Sequence, residues 1–450
     1  MKKRIVALLM SVLLILAVVS TAGCTEQSSE TAAASESSAT SAPAAEPAAT
    51  ETAATEPVEL TLQLWDETQL PVIQENVDKF NTENDGSIHV TIEQIPWDSY
   101  WAKLDASLET AEAPDVFWMN VYIYKYVDAG LLEPLDSYIA ADGLDTSIYS
   151  QGRYTAYNLD GVQYALPKGL DTVAVALNTE IFDRYGVALP TDGWTWDDMR
   201  TIASELRDQI SAAGGSEYPI VMELDGQPSW INFLYQNGGS YLSADGKTCG
   251  IASDASKDAV QQVVDLMANG QMAPYSVLSE TKGTDLFVSG QAAMVFIGSW
   301  KASVLESSTL GEAGQIQLIQ MPAMSVDNHS TMGGLGYVMS SKCENKDAAW
   351  ELIKFITSQE SEEYEAEKGI DIPACLAAQA AYVQNFQNIN AQVFMDASVT
   401  GFPYPSNGNF DWTSYVDDAM QAAFGGTKTV SDAMDDGAAQ AQTVLDELYK

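Results

Sequence analysis

Hydrophobic and polar residues alternate along two short segments near the start of the fold. These segments cover residues 59–65 and 88–95, and residues 114–118 form a third short apolar run. Alternation with a period of two is typical of a β-strand that buries one face. Residues 70–80 and 100–108, which lie between them, predict helices. This order of strands and helices predicts an α/β layered domain with a largely parallel sheet.

A second α/β region is predicted in the middle of the chain. Residues 171–177 predict a strand, and Thr195 with Asp198 three positions later has the sequence of a capping box at a helix start. Residues 284–288 predict the end of a helix, and residues 293–297 predict a strand. Two apolar stripes at helical spacing, which we assign to the core, are Met199, Ile202, Ala203, Leu206 and Ile210, and Val260, Val263, Val264 and Met267.

The last third of the chain changes from alternating elements to helices. Residues 332–339 form a glycine-rich lead into a strand. Asn345 is predicted to cap a helix with Ala349, Leu352, Ile353 and Ile356 on one face. From residue 377 onward helical segments dominate, interrupted by a proline-containing loop at 403–407.

The first 23 residues have the pattern of a secretory signal peptide. Three basic residues at positions 2–4 precede an apolar core at 5–19. The sequence Thr-Ala-Gly-Cys that follows resembles the lipobox of bacterial lipoproteins, which makes Cys24 the predicted lipidation site. A retained membrane helix is the alternative, but the apolar stretch is short for a span.

Residues 24–57 predict a disordered tether between this leader and the fold. After Cys24 the segment consists mainly of Ser, Thr, Ala, Glu and Pro, and it contains no aromatic residue. Such a composition cannot bury enough apolar surface to order itself. Two acyl chains on Cys24 would then hold the protein stably at a membrane.

The charge of the chain limits its partners. The sequence has 63 acidic and 21 basic residues, which gives a formal net charge of −42. A surface of this kind is repelled by nucleic acid, so we expect no nucleic-acid partner, and a highly anionic ligand is disfavoured. We interpret most of these charges as a solvated surface.

Motifs of catalysis and cofactor binding are absent from the sequence. It contains no GxSxG elbow, Walker A loop, HExxH pair or GxGxxG after a strand, so we expect neither an enzyme nor a cofactor. Cys249, Cys343 and Cys375 are widely spaced, and the only histidines are His89 and His329. We therefore predict no metal site and expect buried free thiols.

Three tryptophans lie at the predicted ends of strands. Trp65 follows the first strand, Trp118 ends the third, and Trp300 follows the strand at 293–297, whereas Trp230 lies in a polar loop sequence. In open α/β sheets, ligands bind beyond the carboxyl ends of the strands. An indole can stack on the apolar face of a sugar ring. One such tryptophan alone is more often a core residue, but the set favours a carbohydrate site.

Several segments resemble, in the same order, the extracellular solute-binding proteins of family 1, the maltose-binding-protein type of ABC importer subunit. These segments are 114–116, 164–172 (YALPKGLDT), 177–182 (LNTEIF), 194–199, 237–239, 290–294, 298–300 and 345–355. The resemblance covers the chain from about Val58 to Lys450. It implies an α/β, two-lobe fold of the periplasmic-binding-protein type II class, with a hinge that the chain crosses three times.

The resemblance also implies the boundaries of the lobes and the position of the site. The first lobe would comprise residues 58–171 and 333–376, and the second 172–332 and 377–450. The family's site loops fall on Trp65, Asp66, Glu67, Trp118, Asn120, Asp171, Trp230, Trp300, Gly333, Gly334 and Tyr404 of this sequence. Asp171 would accept hydrogen bonds from sugar hydroxyls, Trp230 and Trp300 would stack on the sugar, and Trp65 with Trp118 would frame the opposite wall.

The sequence thus predicts a monomeric, lipid-anchored protein on the extracellular face of a Gram-positive cell membrane. It would capture an oligosaccharide and deliver it to an ABC permease, because lobe closure on the ligand creates the form that the permease recognises. A binder of peptides, polyols or other polar solutes is one alternative. A surface glycosidase is the other, since two carboxylates across a cleft would suffice for that chemistry.

Overall fold

The computed structural model describes residues 57–450, so the predicted leader, Cys24 and nearly all of the predicted tether lie outside the described residues. The first part of the described chain alternates strands and helices: β1 (Val58–Leu64), α1 (Leu70–Glu83), β2 (Ile88–Gln94), α2 (Trp97–Ser107), β3 (Val116–Met119), α3 (Ile123–Asp128), α4 (Asp136–Asp142), α5 (Gln151–Thr155), β4 (Asn158–Leu159), β5 (Val162–Gln163) and β6 (Ala165–Asp171).

The middle part contains four strands and eight helices. In chain order these are β7 (Val173–Asn178), α6 (Thr179–Tyr185), α7 (Trp196–Ala213), β8 (Tyr218–Val221), α8 (Trp230–Gln236), α9 (Asp254–Ala268), α10 (Tyr275–Leu278), α11 (Gly283–Val288), β9 (Ala292–Gly298), α12 (Ala302–Ser307), α13 (Thr309–Glu312) and β10 (Ile316–Ile319).

The last part returns to a strand and ends in helices. Its elements are β11 (Thr331–Met339), α14 (Lys346–Ile356), α15 (Gln359–Glu367), β12 (Ile372–Pro373), α16 (Gln379–Asn385), α17 (Gln392–Thr400), β13 (Phe402–Pro403), α18 (Thr413–Phe424) and α19 (Val430–Leu448). Among the described residues, no helix is both long and apolar enough to cross a bilayer.

Local signals in the sequence set several of these boundaries. The predicted capping box at α7 is confirmed: the Thr195 hydroxyl accepts from the Asp198 amide, and the Asp198 carboxylate accepts from the Thr195 amide. The cap at α14 is wrong in its detail. Asn345 does precede this helix, but its side chain makes no capping hydrogen bond.

Two sheets organise the molecule. In the first, the strand order is β12-β6-β11-β3-β1-β2, and β13 pairs with the start of β11. In the second, the order is β10-β7-β9-β8. Apolar residues fill both faces of the first sheet, and one large core joins the second sheet to helices α16–α19.

The prediction of a largely parallel sheet, made for the first domain, holds for the strands from which it was made but not for the rest of the first sheet. Strands β1, β2 and β3 are parallel, but β11 runs antiparallel to both β3 and β6. In the second sheet, β7 is antiparallel to β9 and β10. The reason is connectivity: β11 enters the first sheet from the second one, not through a strand–helix–strand unit, so no crossover helix forces it to be parallel.

The chain passes between the two halves three times. It leaves the first sheet between β6 and β7, returns between β10 and β11, and leaves again after β12. Hydrogen bonds hold the first crossing in place: the amide of Ser299, which follows β9, donates to the Thr172 carbonyl at 2.9 Å, and the Val173 amide donates to the hydroxyl of Ser330, at the second crossing, at 3.2 Å. The Thr172 hydroxyl donates to the Phe394 carbonyl at 2.8 Å. The first two crossings are therefore bonded directly to each other, and the first is also bonded to α17 and to the residue after β9.

Candidate functional site

Strand direction places most of the predicted site residues around the hinge. The carboxyl ends of β1, β3 and β6 and the amino end of β11 lie at one edge of the first sheet. The carboxyl ends of β8 and β9 and the amino end of β7 lie at the facing edge of the second sheet. Loops that leave these two edges border a shared cleft, which is where open α/β proteins hold ligands.

Aromatic rings cover the first-lobe wall of this cleft. Trp65 lies edge to face with Trp97, with ring centroids 5.3 Å apart, and with Trp118 at 5.1 Å. Trp97 begins α2 and is 41% exposed, and Trp65 is partly exposed. These two rings therefore offer accessible surface, while Trp118 lies beneath them.

The aromatic wall continues into the second lobe. Trp101 contacts Tyr122 edge to face at 4.6 Å, and Tyr122 contacts Phe410 edge to face at 4.1 Å. All three side chains are partly exposed. Phe410 lies between β13 and α18, so the ring contact bridges the two sides of the cleft. None of these residues, nor Trp97, was among the sequence predictions, because none of them ends a strand.

Polar loop residues border the aromatic wall. The Asp66 carboxylate accepts hydrogen bonds from the Thr68 amide at 2.7 Å and the Gln69 amide at 3.2 Å, which fixes the turn into α1. Glu67 is exposed. The Asn120 side chain accepts from the Tyr122 amide at 2.9 Å. Asp66 and Asn120 thus hold the loops that present the neighbouring rings.

Asp171 lies at the first crossing, opposite Gly333 in the pairing of β6 with β11. Its carboxyl has a pKa raised well above the usual range, chiefly by desolvation and then by the nearby carboxylate of Asp371. Arg153 and Lys168 oppose this shift. A carboxyl in this setting gains most from a ligand that donates hydrogen bonds to it.

A buried charge cluster supports the floor of the cleft behind Asp171. The Lys168 ammonium is completely buried and lies 2.9 Å from the Asp371 carboxylate and 3.3 Å from Glu365. It also lies 5.3 Å from the ring of Trp118. Burial alone would lower the pKa of Lys168, but the two carboxylates outweigh it and raise the pKa. This cluster fixes the strands that carry Asp171.

Glycines at the start of β11 allow a close approach of backbone and side chains. A Cβ at Gly333 would lie 2.4 Å from the Gln227 amide nitrogen, and a Cβ at Gly334 would lie 2.2 Å from the Gly169 carbonyl oxygen. Gly334 also has φ +145°, which favours glycine. The Gln227 amide nitrogen is buried and lacks a partner within residues 57–450. Gln227 is a candidate ligand donor that sequence reasoning missed.

The ring of Trp300 lies directly over Gly298. A Cβ at position 298 would lie 2.2 Å from two ring carbons of Trp300. Trp300 is partly exposed and belongs to a short 3₁₀ turn after β9. Glycine at 298 therefore lets the indole fold back along the strand end, beside the hinge contact between Ser299 and Thr172.

Two of the predicted ligand tryptophans are core residues in this conformation. Trp118 is 0% exposed and Trp230 is 2% exposed. The Trp230 indole donates to the Leu224 carbonyl at 3.1 Å, and Trp230 packs against Tyr241 at 5.7 Å. Protein atoms cover both indoles, so their stacking role remains a prediction and their burial indicates a packing role.

Tyr404 joins the site through the C-terminal part of the chain. Its amide donates to the Met332 carbonyl at 3.1 Å, which extends the pairing of β13 with β11. The pKa of its hydroxyl is raised by burial and then by Tyr122, Asp417 and Asp225. Tyr404 is partly exposed, and its contact with a ligand stays a prediction.

The three described cysteines are packing residues. Cys249, Cys343 and Cys375 are buried and unpaired, and burial raises the pKa of Cys249 to about 11. Within the part of the chain that the structure describes, no group of three His, Cys, Asp or Glu side chains could hold a metal ion.

The fold and the cleft define a class: a two-lobe α/β binding protein with its candidate ligand site at the hinge. The family model for bacterial extracellular solute-binding proteins matches residues 65–363, which is more than half of the chain. The chain therefore belongs to this family, which is one of substrate-binding proteins, not enzymes.

Relatives of known sequence are distant. A putative binding protein of Brucella abortus (strain 2308) is 23% identical over 312 residues, covering 66% of this chain and 71% of the relative. The galactooligosaccharide-binding protein of Bacillus subtilis (strain 168) is 22% identical over 393 residues, covering 85% and 88%. The maltotriose-binding protein of Pyrococcus abyssi is 25% identical over 263 residues, covering 57% of this chain and 53% of the relative.

Solved structures confirm the predicted two-lobe type II fold. An ABC substrate-binding protein from Listeria monocytogenes in complex with cycloalternan has a TM-score of 0.80 at 21% identity, covering 87% of this chain and all of its own. A maltose-bound protein of T. maritima has a TM-score of 0.74 at 20% identity, covering 86% of this chain and all of its own.

Proposed function

We propose that this solute-binding protein captures an oligosaccharide in the cleft and delivers it to an ABC permease. The observation that carries the proposal is the aromatic wall of Trp65, Trp97, Trp101, Tyr122 and Phe410, which spans both sides of the cleft. Sugar rings present apolar faces that stack on such rings. Names of relatives support the choice, since they include maltotriose- and galactooligosaccharide-binding proteins.

The polar groups around the wall have complementary chemistry. Asp171 accepts hydrogen bonds from ligand hydroxyls, and the buried amide of Gln227 donates one. A pocket with an apolar lining and a few fixed polar groups orients a ligand of this type. Trp300 stacks on the part of the ligand that lies against the second lobe. The lobe boundaries are residues 58–171 with 333–376, and 172–332 with 377–450.

Calorimetric titration of the soluble domain tests the proposal. The domain, residues 57–450, is titrated with a panel of gluco-, galacto- and manno-oligosaccharides, a set of polyols and a set of short peptides. Saturable binding of at least one oligosaccharide is expected. A folded domain that binds only polyols or peptides would contradict the proposal, and so would cleavage of the saccharide, which chromatography of the mixture detects.

The cellular setting follows from the N-terminal sequence. Residues 1–23 direct export, Cys24 is lipidated, and residues 24–57 tether a monomeric domain to the outer face of a Gram-positive membrane. Changing Cys24→Ser is expected to release the protein into the medium of the expressing cells. A variant that stays with the membrane fraction after a high-salt wash would contradict the anchor.

A further inference from the structure

Two aspartates oppose each other where the chain first leaves the first sheet. Strand β12 pairs antiparallel with β6 and joins Ile372 to Leu170. The next position in this register sets Asp371 opposite Asp171, which ends β6. Side chains opposite each other in an antiparallel pair have their Cβ atoms about 4.5–5.5 Å apart, and like charges there repel. Strand pairing therefore sets a second carboxyl against Asp171 at the candidate site.

The space beside Gly169 places the carboxyl of Asp371 independently of this register. A Cβ at Gly169 would lie 2.4 Å from Oδ2 of Asp371 and 2.6 Å from its Cγ. Gly169 and Asp171 are two positions apart in β6, so their side-chain positions share one face of the strand. The Asp371 carboxyl thus occupies the side-chain position next to Asp171 on that face.

Only one of the two Asp371 oxygens has a hydrogen-bond partner in the described chain. Asp371 is 4% exposed, and its Oδ2 accepts from the Lys168 ammonium at 2.9 Å, whereas its Oδ1 is buried and has no partner. A buried acceptor that lacks a donor destabilises the fold. Asp371 can therefore accept from one more donor, on the oxygen that Lys168 leaves free.

Positive charge around the pair is limited. Lys168 is divided between Asp371 and Glu365, which lies 3.3 Å from the same ammonium. Arg153 is 4% exposed and donates to the Tyr157 hydroxyl at 2.9 Å, and its Nε has no partner in the part of the chain that the structure describes. The other titratable groups that act on the pair are Asp66 after β1, Tyr157 and Tyr382 on α16. One ammonium thus serves two buried carboxylates, and Asp66 adds further negative charge.

The balance of these charges favours a protonated pair. Desolvation, then the charge of Asp371, raises the pKa of Asp171 well above its ordinary range, and Arg153 and Lys168 offset this shift only in part. Burial also raises the pKa of Asp371, against the opposing effect of Lys168. Two carboxyls in this setting do not both ionise at a pH where a single exposed aspartate would.

We propose that Asp171 and Asp371 share one proton and that a saccharide binds the pair in this singly protonated form. Lys168 holds the negative charge on Asp371, and the Asp171 carboxyl donates its proton to the free Oδ1 of Asp371. The other oxygen of Asp171 then accepts from a ligand hydroxyl. Asp371 is thus a positioning residue, which acts on the ligand through Asp171. This inference rests on the proposed function and adds the protonation state of its site.

Proton linkage follows from this arrangement. Lobe closure removes water from the cleft, which strengthens the repulsion between two ionised carboxylates. The bound state therefore retains the proton to a higher pH than the free state does. Saccharide affinity should be constant below the raised pKa of Asp171 in the free protein and should fall as the pH rises through it, by up to about tenfold per pH unit.

Calorimetric titration of the soluble domain tests this linkage between about pH 6 and about pH 9.5, a range that covers a strongly raised carboxyl pKa. The probes are maltotriose and β-1,4-linked galactotriose. Affinity is expected to be at least about fivefold weaker at the upper end of the range, and buffers of different ionisation enthalpy should reveal proton uptake on binding there. Affinity that rises with pH, or that does not change, would overturn the inference.

Carboxamide variants locate the proton. Asp371→Asn removes the opposing charge but keeps an acceptor for Lys168, and Asp171→Asn removes the carboxyl that titrates. Each is expected to show an affinity that varies by less than about twofold across the pH range.

Glu362→Gln is the matched control for these variants. Glu362 is also a buried carboxyl with one unbonded oxygen within residues 57–450, and its Oε2 accepts from the Cys375 amide at 2.6 Å. This variant is expected to keep the pH dependence of the unaltered protein. A pH dependence that survives in both aspartate variants, or that disappears in Glu362→Gln, would place the proton elsewhere and refute the shared pair.

Carbon-13 NMR of the ligand-free domain, labelled at the aspartate carboxyl carbons, tests the pair without any saccharide. The signal that is absent from Asp171→Asn is expected to titrate well above the ordinary aspartate pKa of 3.8 and to return towards that value in Asp371→Asn. Titration of this signal near 3.8 in the unaltered protein would contradict the inference. A shared proton in a folded domain that binds no saccharide would instead overturn the proposed function.

Discussion

The rings of Tyr122 and Phe410 meet edge to face with their centroids 4.1 Å apart. Tyr122 follows the third strand of the first sheet, and Phe410 precedes a helix that packs in the core of the second. Gly408 lies in the same loop, and a Cβ there would lie 2.2 Å from the Cβ of Tyr124. The contact therefore joins the loop after β3 to the loop before α18.

Phe410→Ala removes this contact and is expected to favour the open arrangement of the lobes. The aromatic pair contributes about 0.5–1.5 kcal/mol, so ligand-free protein should have a larger radius of gyration by small-angle X-ray scattering and a weaker saccharide affinity. Phe355→Ala is the control, since Phe355 also makes an edge-to-face pair, with Phe80, within the first lobe. Equal scattering profiles for both variants would contradict this role.

Gly298→Ala is expected to act through Trp300. The added methyl group would occupy the place of the indole, so the ring must move away from the strand end. If Trp300 stacks on the ligand, Gly298→Ala and Trp300→Ala should each weaken saccharide binding by about 1–3 kcal/mol with little loss of stability. Calorimetry and thermal melting measure the two effects. A collapse of the melting temperature in Trp300→Ala would identify Trp300 as a core residue.

The exposed fraction of each tryptophan side chain predicts whether it stabilises the fold or binds the ligand. Trp118→Ala and Trp230→Ala are expected to cost about 3–5 kcal/mol of stability, because both side chains are buried. Trp97→Ala should leave chemical denaturation nearly unchanged and reduce saccharide affinity, because its ring is exposed at the cleft. A Trp97 variant that binds saccharide as tightly as the unaltered protein would remove this ring from the site.

Lys168→Met is expected to destabilise the protein by about 3–5 kcal/mol, because it leaves Asp371 and Glu365 buried without their cation. The pKa values of both carboxyls, already raised, would rise further, so the folded state would bind protons more tightly than the unfolded state. The loss of stability caused by Lys168→Met should therefore become smaller as the pH falls.

Urea denaturation at several pH values measures this change. Lys354→Met is the control, because Lys354 pairs with Asp142 and Glu351 at the surface, where ion pairs contribute at most about 1 kcal/mol. A loss of stability in Lys168→Met that does not depend on pH would show that the lost packing matters more than the lost charge.

Asp417→Asn is expected to raise stability in a pH-dependent way. Desolvation of its carboxyl, then the charges of Asp225 and Asp418, raise the pKa of Asp417 to about 6 in the folded protein, above its ordinary value of 3.8. The residue as a whole is exposed, so its ionisation disfavours the folded state only weakly. The melting temperature of the variant should match the unaltered protein near pH 4 and exceed it above about pH 6. Asp183→Asn, which removes an exposed carboxylate from α6, is the matched control for the loss of one charge. An increase in melting temperature that is the same at every pH would mean that the charge of Asp417 is not its cause.

Features that depend on residues close together in the sequence could be predicted from it. The capping box of Thr195 and Asp198 and the apolar stripe from Met199 to Ile210 formed the predicted helix, because both rest on contacts within one or two turns. The ordered family segments likewise predicted the two-lobe fold. The same resemblance named Asp171 and Gly333 as site residues, and the structure pairs them across β6 and β11.

Only the tertiary structure decided which rings border the cleft and how the strands run. Trp118 looked like a ligand residue at a strand end, yet Trp65 and Lys168 cover it. Trp97 and Phe410 gave no signal in sequence, and their positions depend on loops that meet only after folding. Strand direction and burial are set by segments far apart in the chain, whereas caps and periodicity are set by neighbours; hence the sequence determined the elements and the family, and packing determined the site.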